Sequence, residues 1–295
     1  MSVPSAPYCA APDPAPRVPK IAVPFGACDC HVHVFGPAER YPYQEERSYT
    51  PPDSPPSALF ALHETLGIDR AVVIQASVHG IDNTAVIDAV AQAPDRLRAV
   101  ATVQQDVTDR ELAALHERGV RGIRVNLVDR GGMPFDSLDA LGEMTARIRD
   151  MGWHAELLVH VEEFPDFPGF VSSLSVPVVV GHLGYMCADK GIGHPGFQAF
   201  LSMLGDGQCW VKLTGPYRIS AEDRPPYKDV APFAEALLEA APDRLLWGSD
   251  WPHVMQVKPM PNDGDLLDLL SSWVPDEDVR QRVLVDNPSA LYGFE

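Results

Sequence analysis

The chain has 295 residues, 45% of them hydrophobic, and its apolar runs fall short of the roughly 18 residues that a membrane span needs. Its 23 basic residues oppose 41 acidic ones, and the net charge of −18 disfavours nucleic acid and anionic membranes as partners. Five cysteines without disulfide-like spacing predict reduced thiols and a cytoplasmic location.

The chain starts with a segment rich in proline and alanine, residues 1–20, which lacks the basic start and apolar run of a signal peptide. Such a composition predicts an extended, loosely attached N-terminal tail. A single domain is expected over residues 21–295, because a chain of this length can bury one large α/β core.

The first predicted strand, residues 27–33, carries His31 and His33 two positions apart. Side chains alternate along a strand, so both imidazoles leave one face, where they can share a metal ion or a substrate oxygen. The same alternation directs Cys28 and Cys30 to the opposite face, toward packing helices. A chance His-x-His with one core histidine is the plain alternative.

Seven further β-branched runs follow, each separated from the next by an amphipathic stretch such as 137–150 or 229–241. The predicted strands are 27–33, 69–76, 98–103, 120–126, 153–160, 176–182, 209–214 and 243–250. Strand–helix alternation requires parallel strands, and eight such units predict a closed (β/α)8 TIM barrel.

An open doubly wound sheet is the alternative fold. Its nucleotide-binding form carries a glycine-rich G-x-G-x-x-G segment after the first strand, and residues 34–39 here read VFGPAE. A long loop over residues 34–56 follows instead, and loops of that length often build a site or a lid.

Polar side chains stand at the predicted carboxyl ends of the strands, where barrel active sites lie. In chain order these are His31 and His33, Ser77, Arg124 and Asn126 with Arg130 just beyond, His160, His182, Arg218, and Asp250 followed by His253. Each of these residues could instead have a purely structural role: Asp250 could be a helix N-cap, and Arg124 could pair with a neighbouring carboxylate. Their joint occurrence at strands one, six and eight favours a site. Four other histidines are expected to be structural: His63, His116, His154 and His194.

The residue types indicate hydrolytic chemistry on an anionic substrate. Asp250 can accept a proton from water, and the imidazoles can bind a metal or polarise a carbonyl. Arginine binds carboxylates bidentately, so Arg124, Arg130 and Arg218 are candidates to hold an anion. Neutral contacts to the substrate are expected from Ser77, Tyr49, Asn126 and His253.

Several ordered motifs carry a family resemblance that runs from about residue 24 to the C-terminus. They are Asp29-x-His31-x-His33-Val34-Phe35-Gly36-Pro37, Tyr49-Thr50-Pro51, residues 119–126, Gly181-His182-Leu183-Gly184, residues 248–253 and Asp286-Asn287-Pro288-x-x-x-Leu291-Tyr292. As a set they resemble the amidohydrolase superfamily, in the branch that contains 2-pyrone-4,6-dicarboxylate lactonase and sugar-acid lactonases.

The resemblance implies a hydrolase that opens the ring ester of a small carboxylate-bearing lactone, such as a pyrone dicarboxylate, sugar-acid or muconolactone-type lactone. It implies Asp250 as the base that activates water and His31, His33 and His182 as the groups that polarise the carbonyl. Arg124, Arg130 and Arg218 match the carboxylate-binding arginines, with Ser77 and Tyr49 nearby.

Two positions depart from the branch and leave the exact substrate open. Leu158 stands where the pyrone enzyme has a substrate-binding tyrosine, and Gly184-Tyr185-Met186 replaces Gly-Arg-Pro.

The resemblance implies catalysis without a cofactor, but His160 keeps a metal site open. One divalent ion, Zn²⁺, could be held by His31, His33, Asp250 and either His160 or His182. A metal-dependent decarboxylase of an aromatic or unsaturated acid is the second function considered, and a non-catalytic binding protein is the third. The expected partner is a small anionic lactone, and a homo-oligomer is possible.

Overall fold

Eight parallel strands form the barrel in a computed structural model, which describes residues 6–129 and 132–295. The strands are β1 (Cys28–Val32), β2 (Arg70–Ile74), β3 (Leu97–Ala101), β4 (Val120–Asn126), β5 (His154–Leu158), β6 (Val178–Val180), β7 (Cys209–Leu213) and β8 (Leu245–Trp247). Each strand pairs with the next in chain order. The predicted (β/α)8 barrel is confirmed, and each predicted strand overlaps one of these eight.

Helices surround the barrel and follow the strands along the chain. They are α1 (Pro56–Leu66), α2 (Thr84–Gln92), α3 (Asp109–Glu117), α4 (Leu138–Ile148), α5 (Phe167–Ser173), α6 (Pro195–Gly205), α7 (Pro216–Ile219), α8 (Ala231–Ala240), α9 (Asp263–Trp273), α10 (Glu277–Gln281) and α11 (Asn287–Tyr292). The predicted stretches 137–150 and 229–241 are α4 and α8. None of the helices in the described ranges combines the length and apolar character that crossing a membrane requires.

Strand alternation divides the core into two layers. Residues such as Ala71, Val125 and Val211 face outward and pack against the helices. The inward residues form a smaller cluster of Cys28, Cys30, Val72, Ile74, Val100, Val179, Trp210 and Leu246 with Tyr292 and Phe294. The C-terminal residues therefore close the bottom of the barrel, and the functional side chains can lie only at its upper end.

An irregularity in β1 overturns the predicted direction of its cysteines. The register between β1 and β2 shifts between Asp29 and Val32, so two consecutive residues, Cys30 and His31, both face the barrel interior. Asp29 faces outward instead and lies 3.4 Å from His63 on α1. A bulge of this kind is invisible to a strict two-residue period, and it re-aims side chains next to functional sites.

The barrel closes between β1 and the segment after β8. The amide of Asp250 donates to the carbonyl of His31 at 2.9 Å, and the amide of His33 donates to the carbonyl of Trp251 at 2.9 Å. Gly248 makes this approach possible, because a Cβ there would lie 2.8 Å from the backbone nitrogen of His31. The closure holds the His-x-His segment and Asp250 side by side.

The N-terminal segment, residues 6–20, is fastened across the upper end rather than loosely attached. At one end, Cys9 N donates to the carbonyl of Thr50 at 2.9 Å, and Thr50 N donates to the carbonyl of Pro7 at 2.7 Å. At its other end, the side chain of Asn262 accepts from Arg17 N at 2.9 Å and donates to Asp13 and to the carbonyl of Ala15. We call residues 6–20 the strap. Its prolines favour an extended path, which leaves backbone groups free for these partners.

Candidate active site

A pocket of about 440 Å³, including its open mouth, lies at the carboxyl ends of the strands. It is lined by His33, Tyr49, Gln75, Ala76, Ser77, Arg124, Asn126, Asp129, Leu158, His182, Tyr185, Arg218, Asp250, Val254 and Met255. These residues come from seven different strands and the loops that follow them. The arrangement places the pocket where barrel active sites occur.

His31 lies below this pocket and is fully buried. The ammonium of Lys212 donates to Nδ1 of His31 at 3.3 Å, to the carbonyl of Cys30 and to Glu156 Oε2 at 2.6 Å. Nδ1 of His31 also lies 3.3 Å from Oε1 of Glu156, so the tautomer follows the partner that Nδ1 takes. With Lys212 as the donor, the proton of neutral His31 lies on Nε2. Burial and the charge of Lys212 hold the pKa of His31 well below its usual value.

His33 and His182 are also neutral at physiological pH. Burial lowers the pKa of His33 to about 4 and that of His182 to about 3. Nδ1 of His33 lies 2.8 Å from the carbonyl of Ile74, so it carries the proton and Nε2 offers a lone pair. Nδ1 of His182 lies 2.8 Å from the hydroxyl of Thr214, which can donate to it and leave the proton on Nε2.

The two carboxylate oxygens of Asp250 have different surroundings. Oδ2 accepts from Arg218 Nε and from the hydroxyl of Tyr217, each at 2.6 Å. Oδ1 has no hydrogen-bond partner and lies 3.6 Å from Nε2 of His31 and 4.0 Å from Nε2 of His33. Burial opposes ionisation, but the Arg218 guanidinium holds the pKa of Asp250 well below its usual range. Asp250 is therefore a carboxylate with one free oxygen.

Backbone strain accompanies this geometry. Asp250 has a φ of 67° and His182 a φ of 50°, a region that costs a residue other than glycine about 1–3 kcal/mol. His182 comes shortly after β6 and Asp250 shortly after β8. At these points the chain must bend sharply for the side chain to point into the pocket. Strain held in this way is typical of functional sites.

Most of the predicted substrate-binding residues reach the pocket. Ser77, Tyr49, Asn126 and Arg218 line it directly. Arg124 lines it too, but its guanidinium also donates to Glu156 at 2.6 Å, which is the carboxylate pairing weighed from the sequence. Arg130 lies outside the described residues.

Two predicted site residues lie elsewhere. His160 stacks on the ring of Tyr185 with centroids 4.7 Å apart, and its Nδ1 lies 2.7 Å from the carbonyl of Tyr185. His253 is fully buried behind Asp250 between Tyr217 and Asp263. The direction of a side chain just beyond a strand depends on the loop, which the strand period does not determine.

Sequence reasoning did not single out Glu156 and Lys212, although a signal was present. Each is a charged residue in the middle of an otherwise apolar strand, and such residues are rarely buried unless paired. In the structure they are fully buried and joined at 2.6 Å. Tyr217 was also missed, because a tyrosine after a strand has no distinguishing pattern.

Three donor atoms could hold one divalent ion. Those of His31, His182 and Asp250 lie within 4.8 Å of one another, and Nε2 of His31 and Oδ1 of Asp250 are buried without partners. The donor set therefore fits a metal. Nδ1 of His31 would then donate to Glu156 Oε1, 3.3 Å away, instead of accepting from Lys212.

Comparison with known proteins agrees with the geometry. A family model described as amidohydrolase matches residues 28–294. A 2-pyrone-4,6-dicarboxylate hydrolase of Comamonas testosteroni is 40% identical over 288 residues, which are 95% of this chain and 94% of that protein. A 4-sulfomuconolactone hydrolase of Rhizobium radiobacter is 39% identical over 289 residues, 97% of this chain and 96% of the other.

Among solved structures, a probable 2-pyrone-4,6-dicarboxylic acid hydrolase of Acinetobacter baumannii with bound citric acid superposes with a TM-score of 0.80. It is 28% identical to this chain, and the match covers 92% of this chain and 100% of the other.

Proposed function

Because this chain belongs to the amidohydrolase family, we propose that it hydrolyses the ring ester of a small lactone that carries carboxylates. The two relatives with about two-fifths identity are named as lactone hydrolases, which favours ring opening over the decarboxylation and the non-catalytic binding considered from the sequence. The observation that carries the proposal is the free Oδ1 of a buried Asp250 carboxylate beside two imidazoles.

In the proposed reaction Asp250 is the general base. A water bound at Oδ1 gives its proton to that oxygen while the water oxygen attacks the lactone carbonyl carbon. The tetrahedral intermediate then collapses, the ring C–O bond breaks, and the proton held by Asp250 goes to the departing ring oxygen. The products are a carboxylic acid, which releases its proton to solvent, and a hydroxyl or its keto form on the same open chain.

The histidines divide two tasks in this scheme. His31 and His182 donate from Nε2 to the carbonyl oxygen and stabilise the oxyanion. His33 differs from the sequence expectation, because its proton is committed to the carbonyl of Ile74. Its Nε2 lone pair is suited to accept from the attacking water and so to orient it toward Oδ1 of Asp250.

Recognition of the carboxylates is assigned to Arg218 and Arg124, with neutral hydrogen bonds from Ser77, Tyr49 and Asn126. Leu158 adds an apolar contact where the lactonase branch has a tyrosine, and Tyr185, whose side chain hydrogen-bonds Arg218, stands where the branch has an arginine. The apolar Leu158 favours a substrate without a hydroxyl on that side of the ring.

We also propose that the reaction needs no metal. The carboxylate of Asp250 and the Nε2 protons of His31 and His182 supply a base and electrophilic groups without one. Zinc is the alternative: an ion held by His31, His182 and Asp250 would act as a Lewis acid toward the lactone carbonyl. With Nδ1 of His31 accepting from Lys212, Nε2 carries the proton and has no lone pair for an ion.

The test is a lactone panel assayed for ring opening, with metal analysis of the same sample. The panel contains 2-pyrone-4,6-dicarboxylate, a galactarolactone and a muconolactone-type compound. We expect hydrolysis of at least one member, retained after chelation, and a loss of about 10²–10⁴-fold in kcat for Asp250→Asn.

Asp150→Asn is the matched control, since that aspartate is exposed on the surface and should leave kcat unchanged. Full activity in Asp250→Asn would refute the assignment of the base. Stoichiometric zinc with loss of activity on its removal would replace the metal-free version with the zinc one.

A further inference from the structure

Three buried side chains form a hydrogen-bonded chain behind Asp250, on the side away from the pocket. The hydroxyl of Tyr217 donates to Oδ2 of Asp250 at 2.6 Å and lies 2.9 Å from Nδ1 of His253. Nε2 of His253 lies 3.0 Å from Oδ1 of Asp263. Tyr217 is 2% exposed, and His253 and Asp263 are fully buried. None of the three lines the pocket, and their hydroxyl, ring nitrogens and one carboxylate oxygen contact one another and Oδ2 of Asp250.

The chain of contacts joins three segments of the upper barrel. Tyr217 belongs to α7, His253 to the turn after β8, and Asp263 is the first residue of α9. The amide of His253 donates to the carbonyl of Asp250 at 2.8 Å, and the rings of Tyr217 and His253 meet edge to face. Each group is thus fixed by its backbone as well as by its partner.

We propose that Tyr217 is a positioning residue for the base. Its hydroxyl, oriented by His253 and Asp263, fixes Oδ2 of Asp250 so that Oδ1 faces the attacking water. This inference rests on the proposed function of the site, because it assigns a task to Tyr217 only if Asp250 is the base.

Arg218 contacts the same oxygen but divides its donors between the base and the pocket. Its Nε donates to Oδ2 of Asp250, while the guanidinium also lines the pocket as the candidate partner of a substrate carboxylate. Tyr217 has no such second task. Its hydroxyl therefore serves Oδ2 alone, and a carboxylate held by one oxygen presents the other in one direction.

The Tyr217 hydroxyl has one proton and two polar neighbours, Oδ2 of Asp250 and Nδ1 of His253. While Asp250 is a carboxylate, the hydroxyl donates to Oδ2, the charged acceptor. Nδ1 of His253, when it carries a proton, donates to the hydroxyl oxygen and so orients the hydroxyl toward Oδ2. Asp263 holds the other ring nitrogen of His253 at 3.0 Å and keeps the ring in place.

The test is the kinetic comparison of Tyr217→Phe with the wild-type chain on the lactone that the panel identifies. A hydrogen bond to a charged group contributes enough to predict a fall of about 10–100-fold in kcat, with KM changed less than about threefold. A merely structural role would not separate kcat from KM. Tyr227→Phe is the control, since that tyrosine is equally buried but its hydroxyl has no partner.

Asp263→Asn tests whether the rest of the chain acts through Tyr217. We expect a smaller fall in kcat in the wild-type background and no further fall in the Tyr217→Phe background. This variant also keeps the inference testable if Tyr217→Phe does not fold. Equal effects of Asp263→Asn in both backgrounds, or a Tyr217→Phe enzyme within threefold of wild-type kcat, would overturn the inference alone. A wild-type chain inactive on every lactone would overturn the proposed function and the inference together.

Discussion

At the scale of single residues, the buried contact of Lys212 with Glu156 underlies the candidate site. The ammonium has three acceptors around it: a carboxylate, a backbone carbonyl and Nδ1 of His31. Burial lowers the pKa of Lys212, and Glu156 opposes this shift. The ion pair therefore leaves neither buried charge unpaired, and it holds the ammonium against Nδ1 of His31.

Lys212→Met should destabilise the fold by about 3–5 kcal/mol, because it breaks a buried ion pair and leaves acceptors unpaired. Chemical unfolding of the variant and the wild-type chain measures this difference. Lys20→Met is the matched control: the ammonium of Lys20 is exposed, lies 4.0 Å from Asp268, and its loss should cost less than about 1 kcal/mol. Similar small losses in both variants would contradict the role assigned to Lys212.

The residue scale also shows what sequence could and could not predict. His33, His182 and Asp250 meet at one pocket because parallel strands end at one face, a rule that needs only the strand order. The role of His33 could not be predicted, since its tautomer depends on a carbonyl of the neighbouring strand. His253 and Tyr217 depend on turn geometry after β8 and β7, which no periodicity encodes.

At the scale of elements, the strands were predictable and the local departures were not. Runs of β-branched residues located β2, β4 and β6 to within a few positions. The irregularity in β1 turned Cys30 inward together with His31, against the alternation that the sequence predicts. A bulge follows from packing against the neighbouring strand, so it becomes visible only once the barrel is assembled.

The strap is the element whose attachment sequence did not predict. Asn262 caps α9 by accepting from Gly264 N at 3.2 Å, and the same side chain accepts from Arg17 N at 2.9 Å. One amide therefore both starts a helix and fastens the N-terminal segment. The strap also borders the pocket wall, because the sulfur of Cys9 accepts from the amide of Met255.

Asn262→Ala should release the strap and remove the cap at a cost of about 1–2 kcal/mol. Trypsin should then cut after Arg17 or Lys20 much faster than in the wild-type chain, and mass spectrometry of the fragments measures this. Asp276→Ala removes the cap of α10 without touching the strap, so its cleavage should stay slow. Equal cleavage of both variants would show that Asn262 does not fasten the segment.

At the scale of the whole molecule, buried neutral histidines make stability depend on pH. Burial lowers the pKa of His154 to about 4, as it does for His33, and that of His182 to about 3. An unfolded histidine has a pKa near 6.5. Below pH 6.5 these histidines therefore bind protons in the unfolded chain but not in the folded chain. Their contribution to the free energy of unfolding is fully present above pH 6.5 and is lost as the pH drops toward 4.

We expect the free energy of unfolding to decrease between pH 6.5 and pH 4.5 by up to about 1.4 kcal/mol per pH unit for each such histidine. Urea unfolding at several pH values measures the slope. His154 lies away from the pocket, so His154→Leu should lower the slope without removing a group of the site. A flat profile across this interval would contradict the neutral, buried state of these rings.

The strap and the C-terminal residues Tyr292 and Phe294 lie at opposite ends of the barrel. Residue 6 is held beside Thr50 at the mouth, whereas Phe294 packs among Cys28, Val72 and Trp210 at the base. A purification tag or a linker to a solid support fused before the strap would lie close to the mouth of the pocket and obstruct the entry of substrate. Fused after Glu295, the same cargo would point away from it, so an immobilised form of this enzyme should be tethered through its C-terminus.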